Sequence, residues 1–299
     1  MNANGKITEP RQIASLGLLL CFIAGMSARG GTTIDPEHPF AHGANIGWLN
    51  SWANGNDGAV MGQYFCTGFL WSADCGWICL GSGTPVNGYQ FANDAPGDYG
   101  INHDGQGSLR GFAWGANIGW IHFESNGDPR VDLRTGNLSG FAWGANVGWI
   151  NLSNAQAHVR TAFLDAGLDA DTDGLPDAWE CEKAQSTRVL SGGSNDQDDD
   201  GVTDEQEYAA DTDPLDDIDF LQMVSIGVSG STHRVAWTAR PTRLYALQAT
   251  NDLRGTLPWT NTELKLLGPI AFSPTTQTLS DVTATMRFYR VQALVPLSP

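Results

Sequence analysis

Two twelve-residue stretches of the chain carry acidic residues at alternate positions around a glycine. The first, "DADTDGLPDAWE", runs from Asp169 to Glu180, and the second, "DQDDDGVTDEQE", runs from Asp196 to Glu207. In both, carboxylates occupy positions 1, 3, 5, 9 and 12, and glycine occupies position 6. Five carboxylates so close in sequence would repel one another strongly without a cation. A disordered acidic linker usually lacks such a pattern, so the spacing predicts two cation-binding loops.

The spacing fits Ca²⁺, which takes roughly six to eight oxygen ligands at about 2.3–2.6 Å. Positions 1, 3 and 5 can wrap the ion, position 7 offers a backbone carbonyl, position 9 acts through water, and position 12 binds with both oxygens. Mg²⁺ is disfavoured because it requires short octahedral contacts and gives up water reluctantly. The predicted ligands are Asp169, Asp171, Asp173, Leu175, Asp177 and Glu180 in the first loop, and Asp196, Asp198, Asp200, Val202, Asp204 and Glu207 in the second.

Both loops match the EF-hand calcium loop, but no long amphipathic helix precedes either one. Position 8, where EF-hands place an aliphatic or β-branched residue that pairs two loops, holds Pro176 in the first loop and Thr203 in the second. Short helices are expected after each loop, over 176–185 and 204–211.

With its "TDP" sequence at 212–214, the segment 165–219 resembles the bacterial thrombospondin type 3-like, or dockerin-like, calcium repeats. That resemblance implies a rigid calcium-stabilised spacer in a secreted or surface protein, and it does not imply an enzyme. Three further acids, Asp211, Asp213 and Asp216, lack the ligand spacing and are expected to be solvated, with a third ion site as the alternative.

The acidic segment also accounts for the charge of the whole chain. Residues 165–219 contain 19 acidic and two basic residues, which matches the net charge of −17, and the flanking regions are neutral. This asymmetry predicts boundaries on both sides of the segment. A chain this acidic, without a basic patch, is not expected to bind nucleic acid.

The N-terminus predicts export from the cell. Lys6 and Arg11 precede an apolar run over 13–26, and small residues follow it, so residues 1–28 read as a secretory signal peptide. The run is too short to span a bilayer comfortably. We therefore expect a secreted or cell-surface bacterial protein without a membrane span once the signal is removed.

A motif rich in glycine and aromatic residues occurs four times before the acidic segment. The copies are "FAHGANIGWLN" from Phe40, "GFLWSADCGWICL" from Gly68, "GFAWGANIGWIHF" from Gly111 and "GFAWGANVGWINL" from Gly140. Each copy predicts an antiparallel hairpin, and with an upstream strand the unit should hold about three strands. Units that are apolar on both faces must stack on neighbours. Stacked meanders, a roll and a small propeller all fit.

The hairpin register can be predicted from the third copy. A turn at Ala116-Asn117, where asparagine tolerates positive φ, places Trp114 opposite Gly119 and Phe112 opposite Ile121. The Gly-Trp rings then alternate with small residues on faces that both look buried. We therefore expect the repeat tryptophans to be core residues, with Trp52 and Trp71 as better candidates for exposure.

Four cysteines remain after the signal, and an exported chain permits disulfides between them. In the predicted register Cys66 and Cys79 lie diagonally close, so a Cys66–Cys79 bridge is the expected pairing, with buried free thiols as the alternative.

The last 80 residues contain short alternating segments that predict a small β-sandwich. The predicted fold class is therefore mainly β: an antiparallel β-meander repeat domain over 29–160, a calcium-loop segment with small helices over 161–219, and a β-sandwich-like domain over 220–299.

No catalytic motif accompanies these elements. The sequence contains no G-x-S-x-G, no H-E-x-x-H and no phosphate-binding glycine loop. The predicted function is therefore a calcium-binding structural or adhesive surface protein, with surface glycans or other surface proteins as partners. The alternative is a carbohydrate-binding module that uses exposed tryptophans of the repeats.

Overall fold

A computed structural model describes residues 31–230, 232–254, 258–262, 275–280 and 287–299. The predicted signal peptide, 1–28, lies outside these residues. The prediction of a mainly β chain is confirmed, because the described part holds twenty strands and two short helices. Neither of these helices is long and apolar enough to cross a membrane.

Each copy of the repeat forms one β-hairpin, and the four hairpins close into a barrel-like antiparallel sheet. Neighbouring hairpins pair in chain order, and the first strand also pairs with the last, which closes the ring. Closure leaves this ring without a free strand edge. Its eight strands are β1 (Ile34–Gly43), β2 (Gly47–Asn50), β5 (Phe69–Ser72), β6 (Gly76–Cys79), β8 (Leu109–Gly115), β9 (Gly119–Phe123), β12 (Phe141–Gly144) and β13 (Gly148–Asn151).

The remaining strands of this region lie outside the ring. The strand at 101–103 pairs with the first strand of the third copy and gives the predicted three-stranded unit there. The segment upstream of the fourth copy forms a short two-stranded hairpin, over 130–139, that leads into that copy. These strands are β3 (Val60–Met61), β4 (Cys66–Thr67), β7 (Ile101–His103), β10 (Arg130–Val131), β11 (Leu138–Ser139) and β14 (Val159–Thr161).

The hairpin register differs by one residue from the predicted one. In the third copy Gly115 pairs with Gly119, and Trp114 pairs with Trp120. The loop therefore has three residues instead of two, and positive φ falls on Gly119, at 78°, instead of on Asn117. A three-residue loop commonly ends in a residue with positive φ that forms a β-bulge, and the equivalent glycines of the other copies, Gly47, Gly76 and Gly148, share this conformation.

Because side chains alternate across a strand, this one-residue shift moves every side chain of the second strand to the other face. The inside of the ring is lined by small and aliphatic residues: Ala41, Leu49, Leu70, Ile78, Ala113, Ile121, Ala142 and Ile150. The space inside the ring is almost filled, with a residual cavity of about 30 Å³. The aromatic residues of the motif therefore lie outside, and the prediction of a tryptophan core is wrong.

One rim of the ring is held by hydrogen bonds between successive hairpin turns. In each copy a polar side chain donates to a backbone carbonyl in the turn of the preceding copy, and the first copy donates to the last. The four bonds are Asn45 Nδ2 to Val147 O (3.1 Å), Ser72 Oγ to Ile46 O (3.2 Å), Asn117 Nδ2 to Cys75 O (3.0 Å) and Asn146 Nδ2 to Ile118 O (3.0 Å). The asparagine of the motif is therefore a link between repeats.

The predicted Cys66–Cys79 disulfide is not formed. Cys66 is a free thiol, fully buried in the core of the ring, and burial raises its pKa to about 12. The Cys79 thiol lies 2.9 Å from the carbonyl oxygen of Gly81. Cys75 takes the place of the aliphatic turn residue of the other copies and is also buried. The predicted disulfide depends on the hairpin register, and β6 pairs with β5 in a register that differs by one residue from the predicted one.

The C-terminal region contains two three-stranded antiparallel sheets that share one core. Trp237 and Val235 of one sheet meet Tyr245 and Leu247 of the other, as expected for a sandwich. The strands are β15 (Met223–Ser229), β16 (Thr232–Trp237) and β19 (Thr275–Ser280) in one sheet, and β17 (Leu244–Thr250), β18 (Thr260–Asn261) and β20 (Phe288–Leu294) in the other.

The helices α1 (Asp177–Ala184) and α2 (Asp204–Ala210) lie between these two β regions in the chain. Each begins within the last third of one acidic loop, close to the predicted ranges 176–185 and 204–211.

The rim hydrogen bonds predict the effect of replacing one asparagine. Asn146→Ala and Asn146→Asp both remove the donor to Ile118 O, so each should lower the free energy of unfolding by about 1 kcal/mol. Gln156→Ala, which changes an exposed side chain in the following loop, should have little effect. Urea denaturation measures all three. Wild-type midpoints for both Asn146 variants would show that the ring does not depend on these bonds.

Candidate metal centre

The two acidic loops have the same backbone fold. In the first, the carboxylate of Asp169 accepts hydrogen bonds from the N–H groups of Asp173 and Gly174, both at 3.1 Å. In the second, Asp196 accepts from Asp200 at 3.1 Å and from Gly201 at 2.9 Å. Position 1 therefore folds each loop back on itself in the same way.

The other positions of the two loops also make equivalent hydrogen bonds and share backbone conformations. Position 5 accepts from the N–H of position 7, in Asp173 with Leu175 (2.9 Å) and in Asp200 with Val202 (2.6 Å). Position 9 accepts from the N–H of position 2, in Asp177 with Ala170 (2.8 Å) and in Asp204 with Gln197 (3.1 Å). Positions 4 and 6 have positive φ in both loops, in Thr172, Asp199, Gly174 and Gly201. Glycine is needed at position 6 because its φ, 97° and 94° in the two loops, strains other residues.

Each helix begins at position 9 of its loop and brings position 12 back towards the ion site. Thr203 caps α2 through a capping box with Gln206, and Pro176 precedes α1. Position 12 falls on the fourth residue of each helix, at Glu180 and Glu207. Both glutamates are fully buried.

Carboxylates of the predicted ligand set converge in both loops. Two ligand oxygens of one calcium ion lie at most about 5 Å apart, twice the bond length. Ligand atoms lie within 4.8 Å of one another in three groups of predicted ligands: Asp169 with Asp171 and Asp177, Asp171 with Asp173 and Glu180, and Asp196 with Asp198 and Asp200. Asp204 and Glu207, the two predicted ligands on α2, are not members of the third group. Leu175, whose carbonyl is the predicted ligand, is fully buried, and Val202 is half-buried.

Several oxygens of these ligands are buried without a hydrogen-bond partner among the described residues. They are Asp173 Oδ2, Glu180 Oε1 and Oε2, Asp198 Oδ2, Asp200 Oδ2, Asp204 Oδ2 and Glu207 Oε2. A buried polar atom normally has a partner, and a buried charge normally has a counter-charge or a metal. The donor set therefore fits a hard divalent cation.

The electrostatics of the loops agree with this fit. Burial, followed by the nearby charges of Asp173 and Asp171, raises the pKa of Glu180 from 4.5 to about 8. Burial and the charges of Asp198 and Asp200 raise the pKa of Glu207 to about 8 as well. Without a cation, both glutamates would hold a proton at neutral pH. A bound dication would replace that proton and favour the ionised form.

A small apolar cluster fixes the two loops to each other. Leu175 of the first loop, Trp179 of α1 and Leu190 of the connecting segment are buried together. Tyr208 of α2 packs against Trp179, with ring centroids 5.5 Å apart. This cluster is not evident from the sequence, although Trp179 and Tyr208 each stand one residue from position 12.

Asp211 and Thr212, which follow the second loop, both make polar contacts with the helices that carry the loops. The hydroxyl of Thr212 donates to Glu207 Oε1 at 3.1 Å, so the threonine of the "TDP" sequence orients a predicted ligand. Asp211 is ion-paired with Lys183 at 3.1 Å instead of solvated, and Asp213 and Asp216 bond to nearby backbone N–H groups.

No protein-family model, curated protein sequence or solved structure matches this chain. The geometry of the acidic loops and of the hairpin surface is therefore the evidence for the function of this chain.

A second candidate surface is the outer aromatic belt, which we define as the outward-facing rings of the four hairpins. Its exposed tryptophans are Trp48, Trp71, Trp77, Trp120, Trp143 and Trp149, which are 37–47% exposed. Within each hairpin the rings pack edge to face, as in Trp114 with Trp120 at 4.7 Å. Trp71 is exposed as predicted, whereas Trp52 is half-buried against the core.

The raised pKa values predict a pH dependence of stability in calcium-free buffer. The folded protein holds protons that the unfolded chain loses near pH 4.5, so unfolding should become easier as the pH rises from about 5 to about 8. The double variant Glu180→Gln/Glu207→Gln cannot ionise at these positions and should lose most of this dependence. Urea denaturation with a chelator, at a series of pH values, measures it.

The matched control for this experiment is Glu182→Gln/Glu205→Gln, which changes two neighbouring glutamates outside the ligand set. It should keep the wild-type pH profile. Wild-type stability that stays constant or rises between pH 5 and 8 would contradict the assignment of the buried glutamates.

Proposed function

We propose that this chain is a secreted or cell-surface calcium-binding protein with a structural or adhesive role. The observation that carries the proposal is the pair of similarly folded loops whose position-12 glutamates are buried with unpartnered carboxylate oxygens. Structural calcium explains why such acids are retained inside the protein. The N-terminal apolar segment supports export.

Calcium fits the site better than magnesium. Each loop offers up to five carboxylates and a backbone carbonyl, which suits the larger coordination number and flexible geometry of Ca²⁺. The Gly174 and Gly201 turns bring positions 1, 3 and 5 to one side of the loop, and α1 and α2 supply position 12. When bound, the ion would neutralise the acids and rigidify the segment. Extracellular calcium modules often bind weakly, with Kd of about 10⁻⁴–10⁻³ M.

The acidic segment contacts both β regions, which supports a structural role. Tyr64 of the N-terminal region donates to Glu182 of α1 at 3.2 Å, and Arg240 of the C-terminal region pairs with Asp219. The two β regions also touch directly, because Leu297 of the C-terminal region packs against the core of the N-terminal ring. Calcium in the loops would therefore stabilise the junction at which the two regions meet.

Calorimetric titration tests the proposal. The wild-type protein should bind two Ca²⁺ ions, and calcium should raise its Tm because it binds the folded loops preferentially. Glu180→Gln and Glu207→Gln should each remove one site, since each variant takes away a bidentate carboxylate. Glu182→Gln and Glu205→Gln lie on the same helices outside the ligand set and should retain both sites. An absence of binding at millimolar calcium, with a Tm unaffected by chelator, would refute the proposal.

A second candidate function is carbohydrate binding by the outer aromatic belt. Six tryptophans more than a third exposed form an apolar surface of the kind that usually marks an interaction site. Amphipathic rings with polar neighbours, such as His122 and Asn151 on the same face, suit the apolar faces and hydroxyl edges of sugars. The pseudo-fourfold repetition would present similar ring pairs around the sheet.

Affinity electrophoresis against a panel of polysaccharides tests this second function. Binding should slow the wild-type protein, and Trp149→Ala, which removes one of the most exposed rings, should weaken the retardation. Trp259→Ala is the matched control, because Trp259 lies in the C-terminal region against Arg290. Uniform migration of all three proteins on every glycan would exclude the function.

A further inference from the structure

Helix α2 carries a predicted calcium ligand and a contact with the C-terminal β region on adjacent residues. Glu207 is position 12 of the second loop. The carbonyl of the next residue, Tyr208, accepts a hydrogen bond from Arg243 Nη2 at 2.7 Å, and that of Ala209 accepts from Arg243 Nε at 3.0 Å. Arg243, which immediately precedes β17, is buried. Its guanidinium therefore ties the end of the calcium-loop helix to the C-terminal region.

The residue that ends α2 strengthens this connection. Asp211 adopts the left-handed conformation that terminates the helix, with φ of 60°. Its carboxylate accepts from the hydroxyl of Thr242, lies 3.9 Å from Arg243 Nη1, and pairs with Lys183 of α1 at 3.1 Å. Both helices and the C-terminal region thus meet at one carboxylate.

The same turn reaches back to the calcium loop. Thr212 follows Asp211 and donates to the carboxylate of Glu207 at 3.1 Å, while its N–H donates to Glu207 O at 3.1 Å. The position of Glu207 and the position of the turn that receives Arg243 and Thr242 are therefore not independent.

Tyr208 extends the connection to the N-terminal region. Its hydroxyl donates to Gln63 Oε1 at 3.1 Å, and its ring lies 5.8 Å from the guanidinium of Arg243. One helical residue consequently contacts both β regions and stands next to a predicted ligand.

We propose that calcium binding at the second loop and docking of the C-terminal β region are coupled, with Arg243 as a positioning residue for the Glu207 ligand. The inference depends on the proposed calcium function and adds a regulation to it. A calcium ion in the loop would hold Glu207 and, through Thr212, the turn after it, so the acceptors of Arg243 are held in place more firmly when the ion is bound. By reciprocity, loss of the Arg243 contacts weakens calcium binding by the same factor.

The test measures the affinity of the second site alone. In a Glu180→Gln background, which removes the first site, Arg243→Ala should raise the Kd for Ca²⁺ by roughly ten-fold, within the usual range of such couplings. Arg243→Lys should also weaken binding, because one ammonium cannot reproduce the planar fork of the guanidinium. Thr242→Val removes only the hydroxyl that reaches Asp211 and provides a milder, isosteric variant. Arg234→Ala, an exposed arginine on β16, is the control and should bind as the background does.

Small-angle X-ray scattering supplies a readout that does not depend on affinity. The wild-type protein should become more compact when calcium is added, Glu205→Gln should do the same, and Glu207→Gln should not respond. The coupling is overturned, and the calcium function left intact, by two results together. These are an unchanged Kd for Ca²⁺ in the Arg243 and Thr242 variants, and scattering of the wild-type protein that calcium does not change. A wild-type protein that binds no calcium would overturn both.

Discussion

Burial of negative charge without a partner is the constraint on which the middle of this protein depends. Glu180 and Glu207 are both fully buried, and each leaves at least one carboxylate oxygen without a hydrogen-bond partner among the described residues. These two carboxylates are held in the interior by the loop backbone, by the first turns of the two helices and by the apolar cluster around Trp179. A cation satisfies the constraint directly, whereas protonation satisfies it only below the raised pKa. The contacts that both β regions make with the two helices lie around these buried carboxylates.

The two loops could be predicted from the sequence because all their determinants are local. Ligand spacing, the glycine at position 6 and the helix that starts at position 9 lie within twelve residues, and the hydrogen bonds of the loops join residues at most seven positions apart. The role of Arg243 could not be predicted in this way, since it lies 34 residues from the carbonyl of Ala209 that it binds. No pattern near Arg243 in the sequence indicates that contact.

The repeat domain shows how a small local error becomes a large structural one. The motif predicted hairpins, and hairpins are present, but the turn contains one residue more than expected. Positive φ falls on Gly119 because glycine adopts it without strain, and the preceding Ile118 folds inward as a buried residue. That single shift exchanges Ile121 and Trp120 between the two faces. The aromatic residues were expected to fill the core, but they lie on the outer surface of the ring. The disulfide expected from the same register is not formed.

The ring of hydrogen bonds between hairpin turns has a consequence for how this architecture can change. An open array of repeats can gain or lose a unit at its end, because each unit contacts only its neighbours. Here the first hairpin is bonded to the last through Asn45 and Val147, so the number of hairpins is fixed by closure. Additional chain can be accommodated between hairpins, as in the second linker, which is longer than the other two and leaves the register of the flanking copies intact. Such linkers are the places where this molecule can acquire new surface without reopening its sheet.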